Sequence, residues 1–330
     1  MTGRRAVVTG IGVCAPNAYG SAADGSWFDV RTALGRRGYK YLPAACQYLL
    51  VAGRRALDDA GDCLSGTVDE QRGVAIGTNA GVTALHDEQD RTIITEHANE
   101  LSPLTSPYGA VNVLTSRLSL EHGFKGVSVT LTSPLVAGVE AVQIGASALA
   151  AGRSTVLLAG AMEQRLPEPG DNISEDGAVV LVLEAPERAE ARGARQYGRC
   201  ATRTLLLPPR RLGTVAERRR AAALIESAAE SLGARGLPVY TVLDDSPVSE
   251  IVASAVRTMS GIGPVHDAGA PGNGSLVPVL RLVDLLRDGD GDSLLVTAAG
   301  GGTVAMARVR RTATPRTAAA TTTSTGSAEC

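Results

Sequence analysis

Aromatic side chains are scarce in this 330-residue sequence: two phenylalanines, one tryptophan and seven tyrosines. A core of ordinary size must therefore be assembled from Val, Leu, Ala and Ile. Charge of one sign is also missing, since 32 basic residues face 34 acidic ones along the chain. That balance gives no field that would collect nucleic acid or anionic lipid. No run approaches the roughly 20 apolar residues that a membrane helix needs. The opening segment "MTGRRAVVTGIGVCAPNAYG" has basic residues and then an apolar run, but glycines interrupt it and no cleavage pattern follows, so it reads as a first strand and the cytosol is the expected compartment. The five cysteines, Cys14, Cys46, Cys63, Cys200 and Cys330, form no CxxC pair and no ligand spacing. Neither a disulfide framework nor a metal site is expected, and no cofactor is called for.

What the sequence does contain is a repeated alternation of short Val-rich runs, ending in Gly or Ser, with Ala-rich segments of helical period. In the first half the expected strands are "RRAVVTGIGV", "GVAIGT", "VSVTLTS", "TVLLAGAME" and "GAVVLVLE". The expected helices are residues 44 to 61, "AVNVLTSRLSLEHG" and "AGVEAVQIGASALAAG". In the helix at 44 to 61, Ala45, Leu49, Ala52, Ala56 and Ala60 share one face, so one side is buried. The second half repeats the theme with strands in "GRCATRTLLL", "PVYTVL", "GPVHDAG" and "DSLLVTAAGGGTVAMARVRR", and helices in 214 to 236, 248 to 259 and 274 to 289. Similar element order without a Pro/Gly linker points to internal duplication. The expected division is 1–187 and 188–311. Residues 312–330, a Thr/Ala/Ser tract, read as a disordered tail.

Within this pattern "VTLTSPLVAGVEAVQIG" is a strand that turns abruptly into a helix, with Ser133, Pro134, Leu135 and Val136 at its tip. Four stretches in order resemble the β-ketoacyl synthases of fatty-acid and polyketide biosynthesis. They are "RRAVVTGIGVCAP", the strand-turn-helix at 129 to 150, "STVLLAGAMEQ" with "SEDGAVVLVLEAPERAEARGA", and "HDAGAPGNG" with "TAAGGGTVA". The resemblance covers about residues 3 to 310. It implies a thiolase-like α/β fold of two pseudo-symmetric halves in a five-layered αβαβα arrangement.

In that family the turn carries a cysteine at the N-terminus of a buried helix, where the helix dipole and backbone N–H groups favour a thiolate and later hold an oxyanion. Matching Gly138, Glu140 and Ala141 to the Gly-x-Asp/Glu-Ala that follows the cysteine puts Leu135 at the nucleophile position. One family histidine loop is replaced by Asp244, Asp245, Ser246 and Pro247, and the family lysine falls on Gly261. Adjacent carboxylates after a strand otherwise read as a turn or helix cap before Pro247. The other histidine is kept as His266, followed by Gly269, Ala270 and Gly272. A bland reading of His266 is a loop histidine that orients backbone. The "AAGGGT" loop matches the family's gating turn, with Gly300 where a phenylalanine stands, followed by Gly301, Gly302 and Thr303. His97 and His122 read as helix-end surface positions and His86 as part of a polar loop.

The resemblance thus implies a vacated active site. Its expected role is that of a chain-length factor, a non-catalytic subunit that pairs with a Cys-containing ketosynthase as a heterodimer, meets acyl carrier protein through that complex and shapes the acyl tunnel. Two other classes stand beside it. One is an acyl transferase or malonyl decarboxylase working without the cysteine, and the other is a homodimeric binding relic. The family's longer segment before the helix at 44 to 61 is shortened here, which removes part of the pocket mouth.

Overall fold

The computed structural model describes residues 6–16, 27–36, 38–166, 175–269 and 272–312. Of the tail expected over 312–330, Thr312 is described, its N–H donating to the Tyr197 carbonyl at 3.0 Å, and the rest, Cys330 included, lies outside the described residues, as does Ala270. In chain order the elements are β1 (Val7–Cys14), α1 (Val30–Leu34), α2 (Ala44–Ala60), β2 (Arg72–Thr78), α3 (Thr83–Thr95), α4 (Val111–His122), β3 (Ser128–Thr132), α5 (Ala137–Ala150), β4 (Val156–Glu163) and β5 (Gly177–Glu184). They continue with α6 (Pro186–Ala191), β6 (Gly198–Leu206), α7 (Val215–Ser231), β7 (Val239–Leu243), α8 (Pro247–Thr258), β8 (Val265–Asp267), α9 (Leu276–Arg287), β9 (Ser293–Ala298) and β10 (Thr303–Arg311). Setting aside α1, α3 and α6, the order β-α-β-α-β-α-β-β occurs twice.

The strands run in the order β3-β2-β4-β5-β1-β6-β10-β9-β7-β8. The second five mirror the first, with the same parallel pairs (β2 with β3 and β4; β7 with β8 and β9) and the same antiparallel ones (β4 with β5, β5 with β1; β9 with β10, β10 with β6). The two sets join only through Val7 opposite Arg199 and Val8 opposite Gly198. So short a join leaves room for helices between the halves.

Helices α5 and α9 take that space. α5 packs on β2, β3 and β4 and also on β6 and β10, while α9 packs on β9 and β10 and also on β4 and β5. The core around them, including Ile11, Val139, Leu181, Val279, Leu295 and Val309, draws on both halves. On the outer side of the first half lie α2 and α4, over a second core that includes Leu49, Leu114, Ile76 and Val180. On the outer side of the second half lie α7 and α8, over a third that includes Ile225, Val252, Leu294 and Met306. The result is the expected five-layered αβαβα arrangement. Both faces of each half-sheet are covered, which is why β4 and β5 are buried along their whole length and show no apolar/polar alternation.

Burial of the expected face of α2 is complete: Ala45, Leu49, Ala52, Ala56 and Ala60 are all buried, and small residues there let the helix lie close on β1. One departure is α3. Its thirteen residues bury only Leu85, so no apolar stripe marks it, and the segment expected as a polar loop around His86 is helical, with His86 Nε2 2.7 Å from the Gly109 carbonyl oxygen.

The central layer is set by close backbone approach. A Cβ built on Gly77 of β2 would lie 2.3 Å from the Ala137 carbonyl carbon and 2.4 Å from the Gly138 nitrogen. The first turn of α5 is therefore pressed onto β2 at a place where only hydrogen fits. Gly77→Ala is expected to destabilise the chain by about 1–3 kcal/mol, the cost of overpacking against backbone that cannot yield, read as a lowered urea midpoint; an unchanged midpoint would contradict this packing.

Candidate functional site

The strand-turn-helix occurs where expected. β3 ends at Thr132, Ser133 and Pro134 form the turn, and α5 starts at Ala137. Leu135 stands at φ 58°, the only non-glycine residue with positive φ among those described. For a leucine this left-handed geometry costs roughly 1–2 kcal/mol, so the surrounding structure must impose it. It does so through burial and two hydrogen bonds. The Leu135 side chain is fully buried in the core between the half-sheets, its N–H donates to the Asn273 carbonyl at 3.2 Å, and the next N–H, that of Val136, donates to the Pro134 carbonyl at 2.6 Å. Gly138 follows because α9 lies against it: a Cβ there would sit 2.3 Å from a Val279 methyl.

A hydrocarbon side chain at this tip can neither attack nor hold an acyl group. The neighbouring hydroxyl, on Ser133, lies close enough to Glu140 to act on its carboxyl. Burial pushes the Glu140 pKa up, and the Ser133 hydroxyl pulls against that rise. The four described cysteines are buried elsewhere. Burial pushes the thiols of Cys46 and Cys200 up to about 12 and that of Cys63 to about 11, far from the thiolate that chemistry requires.

The other expected site residues are less concentrated. His266 lies on β8, exposed, with its ring stacked on Tyr240 at a centroid distance of 4.9 Å. It is the loop seven residues further on that reaches the turn, through Asn273. Gly269 begins that loop at φ 65°, its N–H donating to Asp267 Oδ1 at 3.0 Å. Gly300, Gly301 and Gly302 form the β9-β10 turn, with Gly302 at φ 93°, and Thr303 opens β10 opposite Leu206. The Gly300 N–H donates to Asp244 Oδ2 at 2.8 Å.

Asp244 acts as the expected turn-former. Its Oδ1 accepts from the Ser246 hydroxyl at 2.5 Å, the Ser246 N–H at 3.1 Å and the Ser249 hydroxyl at 2.6 Å, organising the start of α8. Burial would raise its pKa, but these donors outweigh burial and hold it below the ordinary aspartate value. The carboxylate therefore spans α8 and the glycine turn.

Two glutamates that the sequence does not single out hold the site together. Glu163, at the end of β4 and fully buried, accepts from the Asn79 N–H (2.6 Å), the Ala80 N–H (3.0 Å), the Thr78 hydroxyl (3.3 Å), and the Ser275 N–H and hydroxyl (2.8 and 2.7 Å). Asn79 Nδ2 in turn donates to the Asn273 carbonyl at 3.1 Å, the same oxygen that receives Leu135. Glu175 accepts from the Leu276 N–H at 3.0 Å, so two carboxyl groups meet the N-terminus of α9. Its other oxygen is buried without a partner among the described residues. Burial, with the charge of Glu163 behind it, pushes the Glu175 pKa from its ordinary 4.5 to about 8. Glu163 has five donors that favour its charged form, but burial outweighs them and pushes its pKa up as well.

A carboxyl raised in the folded state binds its proton there more tightly than in the unfolded chain. Its stabilising effect is complete below the unfolded value of 4.5 and is lost as pH rises through about 8. Stability should therefore fall across that window by up to about 1.4 kcal/mol per pH unit from this group. Glu175→Gln, which keeps the shape and removes the titration, is expected to flatten the fall in urea midpoints between pH 6 and pH 8 relative to wild type; parallel pH profiles would exclude a protonated Glu175.

Comparison with known proteins agrees with this geometry. The model of the β-ketoacyl synthase N-terminal domain matches residues 33–179, a span that holds the turn, β4 and Glu163. The 3-oxoacyl-[acyl-carrier-protein] synthase 2 of Vibrio cholerae is 24% identical over 257 residues, 60% of this chain and 62% of that protein. The chain thus spans about three-fifths of the length of the curated relatives it matches first. Among solved structures, a type II PKS acyl-carrier protein in complex with its ketosynthase bound to the hexaketide (AntDE:AntF) superposes with a TM-score of 0.73 at 19% identity, covering 94% of this chain and 100% of that one. The ishigamide ketosynthase/chain length factor gives 0.72 at 19% identity, with the same coverage. The duplicated five-layered architecture and the buried turn at the start of α5 thereby identify a thiolase-like ketosynthase fold, within which residues 33–179 are similar in sequence to the N-terminal domain of the β-ketoacyl synthases.

Proposed function

We propose that this chain is a non-catalytic ketosynthase-like subunit, a chain-length factor that pairs with a Cys-containing β-ketoacyl synthase and shapes its acyl tunnel in polyketide biosynthesis. The observation that carries this reading is Leu135: a leucine fully buried at a left-handed turn on the N-terminus of α5. The chain keeps the costly backbone of a nucleophile turn and puts hydrocarbon at its tip.

Three further features support it. The two backbone N–H groups that could hold an oxyanion near the turn and the glycine loop are consumed internally, Leu135 by the Asn273 carbonyl and Gly300 by Asp244. Removing a single oxyanion donor typically lowers a rate about 10² to 10³-fold, and without a nucleophile the acyl-enzyme route is closed as well. His266 is engaged with Tyr240 on an exposed strand. Finally, β3 stands at the end of the sheet, pairs only with β2 and is partly exposed along its length. An unpaired edge is a ready surface for another subunit. The solved ketosynthase/chain length factor and the ketosynthase complexed with acyl-carrier protein supply a precedent for both expected partners.

Co-expression with a Cys-containing ketosynthase of the same gene neighbourhood is expected to give a stable one-to-one complex that extends an acyl chain on carrier protein, whereas the isolated chain forms no acyl-enzyme. In that complex Leu135→Ala should lengthen the product distribution, because truncation leaves a cavity where the tunnel floor stood. A soluble homodimer that ignores every ketosynthase, or acyl transfer by the isolated chain, would replace this reading with one of its two alternatives; an unchanged product distribution would sink the role of Leu135 as tunnel floor.

A further inference from the structure

Four arginines near the join of the two halves are tied to carboxylates. Arg188 and Arg192 both reach the fully buried Glu184, at 3.1 and 2.6 Å, and Arg308 and Arg310 both reach Asp292, at 2.6 and 3.1 Å. Four others differ. Arg195, Arg199, Arg287 and Arg311 line one cavity of about 450 Å³, and among the described residues none of them lies within ion-pairing distance of a carboxylate. The lining holds a single acid, Glu190. Four cations facing one concave space repel one another, and that repulsion is relieved by an anion shared among them.

The wall of this cavity is built rather than incidental. Tyr197 is buried, with its hydroxyl held by both oxygens of Asp59 at 2.9 and 3.0 Å, and the Arg195 guanidinium lies over its ring at 4.3 Å from the centroid. Arg311 donates to the Gly289 carbonyl at 2.8 Å, which fixes its fork against the end of α9. Arg199 projects from β6 at the join with β1, where it stands opposite Val7, and Arg287 from the last turn of α9. The site is remote from the Leu135 turn, which meets α9 at its other end: Leu276 and Arg287 are separated by eleven helical rises, about 16 Å.

We propose that this cavity is a binding site for a small oligophosphate-bearing ligand, held by Arg195, Arg199, Arg287 and Arg311 and separate from the ketosynthase-like site. Its volume suits a small ligand. Planar guanidinium forks match the paired oxygens of a diphosphate, which a single compact anion would not fill. The shared chemistry is the diphosphate group, supplied either free or as part of a nucleotide.

Binding of inorganic pyrophosphate, inorganic phosphate and ADP to the full chain, without divalent metal and at about 0.15 M ionic strength, tests the site by calorimetry. Pyrophosphate should bind more tightly than phosphate. Arg199→Ala and Arg287→Ala should each weaken pyrophosphate about tenfold, the effect of losing one charge-assisted contact, with melting temperatures of the unliganded proteins unchanged. Arg287→Lys should retain part of the affinity. ADP binding more tightly than pyrophosphate would assign a nucleotide, and equal affinity a free oligophosphate. No pyrophosphate binding up to about 1 mM, equal affinity in wild type and both alanine variants, or preference for a DNA duplex over pyrophosphate would each overturn the proposal.

Discussion

One buried carboxylate holds the centre of this molecule. Glu163 closes β4 in the first half, gathers the N–H groups of Asn79 and Ala80 at the end of β2, and crosses to Ser275 at the start of α9 in the second half. A carboxyl at that depth is tolerable only because its oxygens are met by donors. The same requirement makes it a positional constraint: any displacement of α9 or of the β2 loop would strand a buried carboxyl without its donors. Through Asn79 and Asn273 the constraint passes to Leu135, whose unfavourable backbone is thereby fixed.

The duplicated topology explains why such a constraint can act across the halves. The ladder between them is two residues long, so the halves are held chiefly by what lies between, namely α5, α9 and the apolar residues they share. α5 approaches β2 at Gly77 and α9 at Gly138, and larger residues at either point would push the layers apart. Small residues at the contact points and carboxylates at the helix ends together place the turn with little freedom.

Much of this was readable in the residues. The long Val-rich runs of β4 and β5 and the one-sided α2 are expressed locally, in burial period, and so survive without knowledge of the fold. The turn at Leu135 was readable because Gly138, Glu140 and Ala141 follow it at fixed spacing. α3 was not, since a helix that buries one leucine carries no periodic signal. Nor were Glu163 and Glu175: a glutamate at the end of a strand looks the same in sequence whether it faces water or five donors from distant segments. His266 shows the opposite difficulty. Its motif is plain in the residues, but nothing in the sequence shows that His266 stacks on Tyr240 or that Asn273 makes the contact with the turn.

The placement of the cysteines has a meaning for the chemistry of damage. An exposed thiolate of lowered pKa is open to whatever electrophile or peroxide reaches it. Here the four described sulfhydryl groups are sealed in packing, and burial holds those of Cys46, Cys63 and Cys200 protonated. Oxidants that consume exposed thiolates therefore find no accessible sulfur at these four positions.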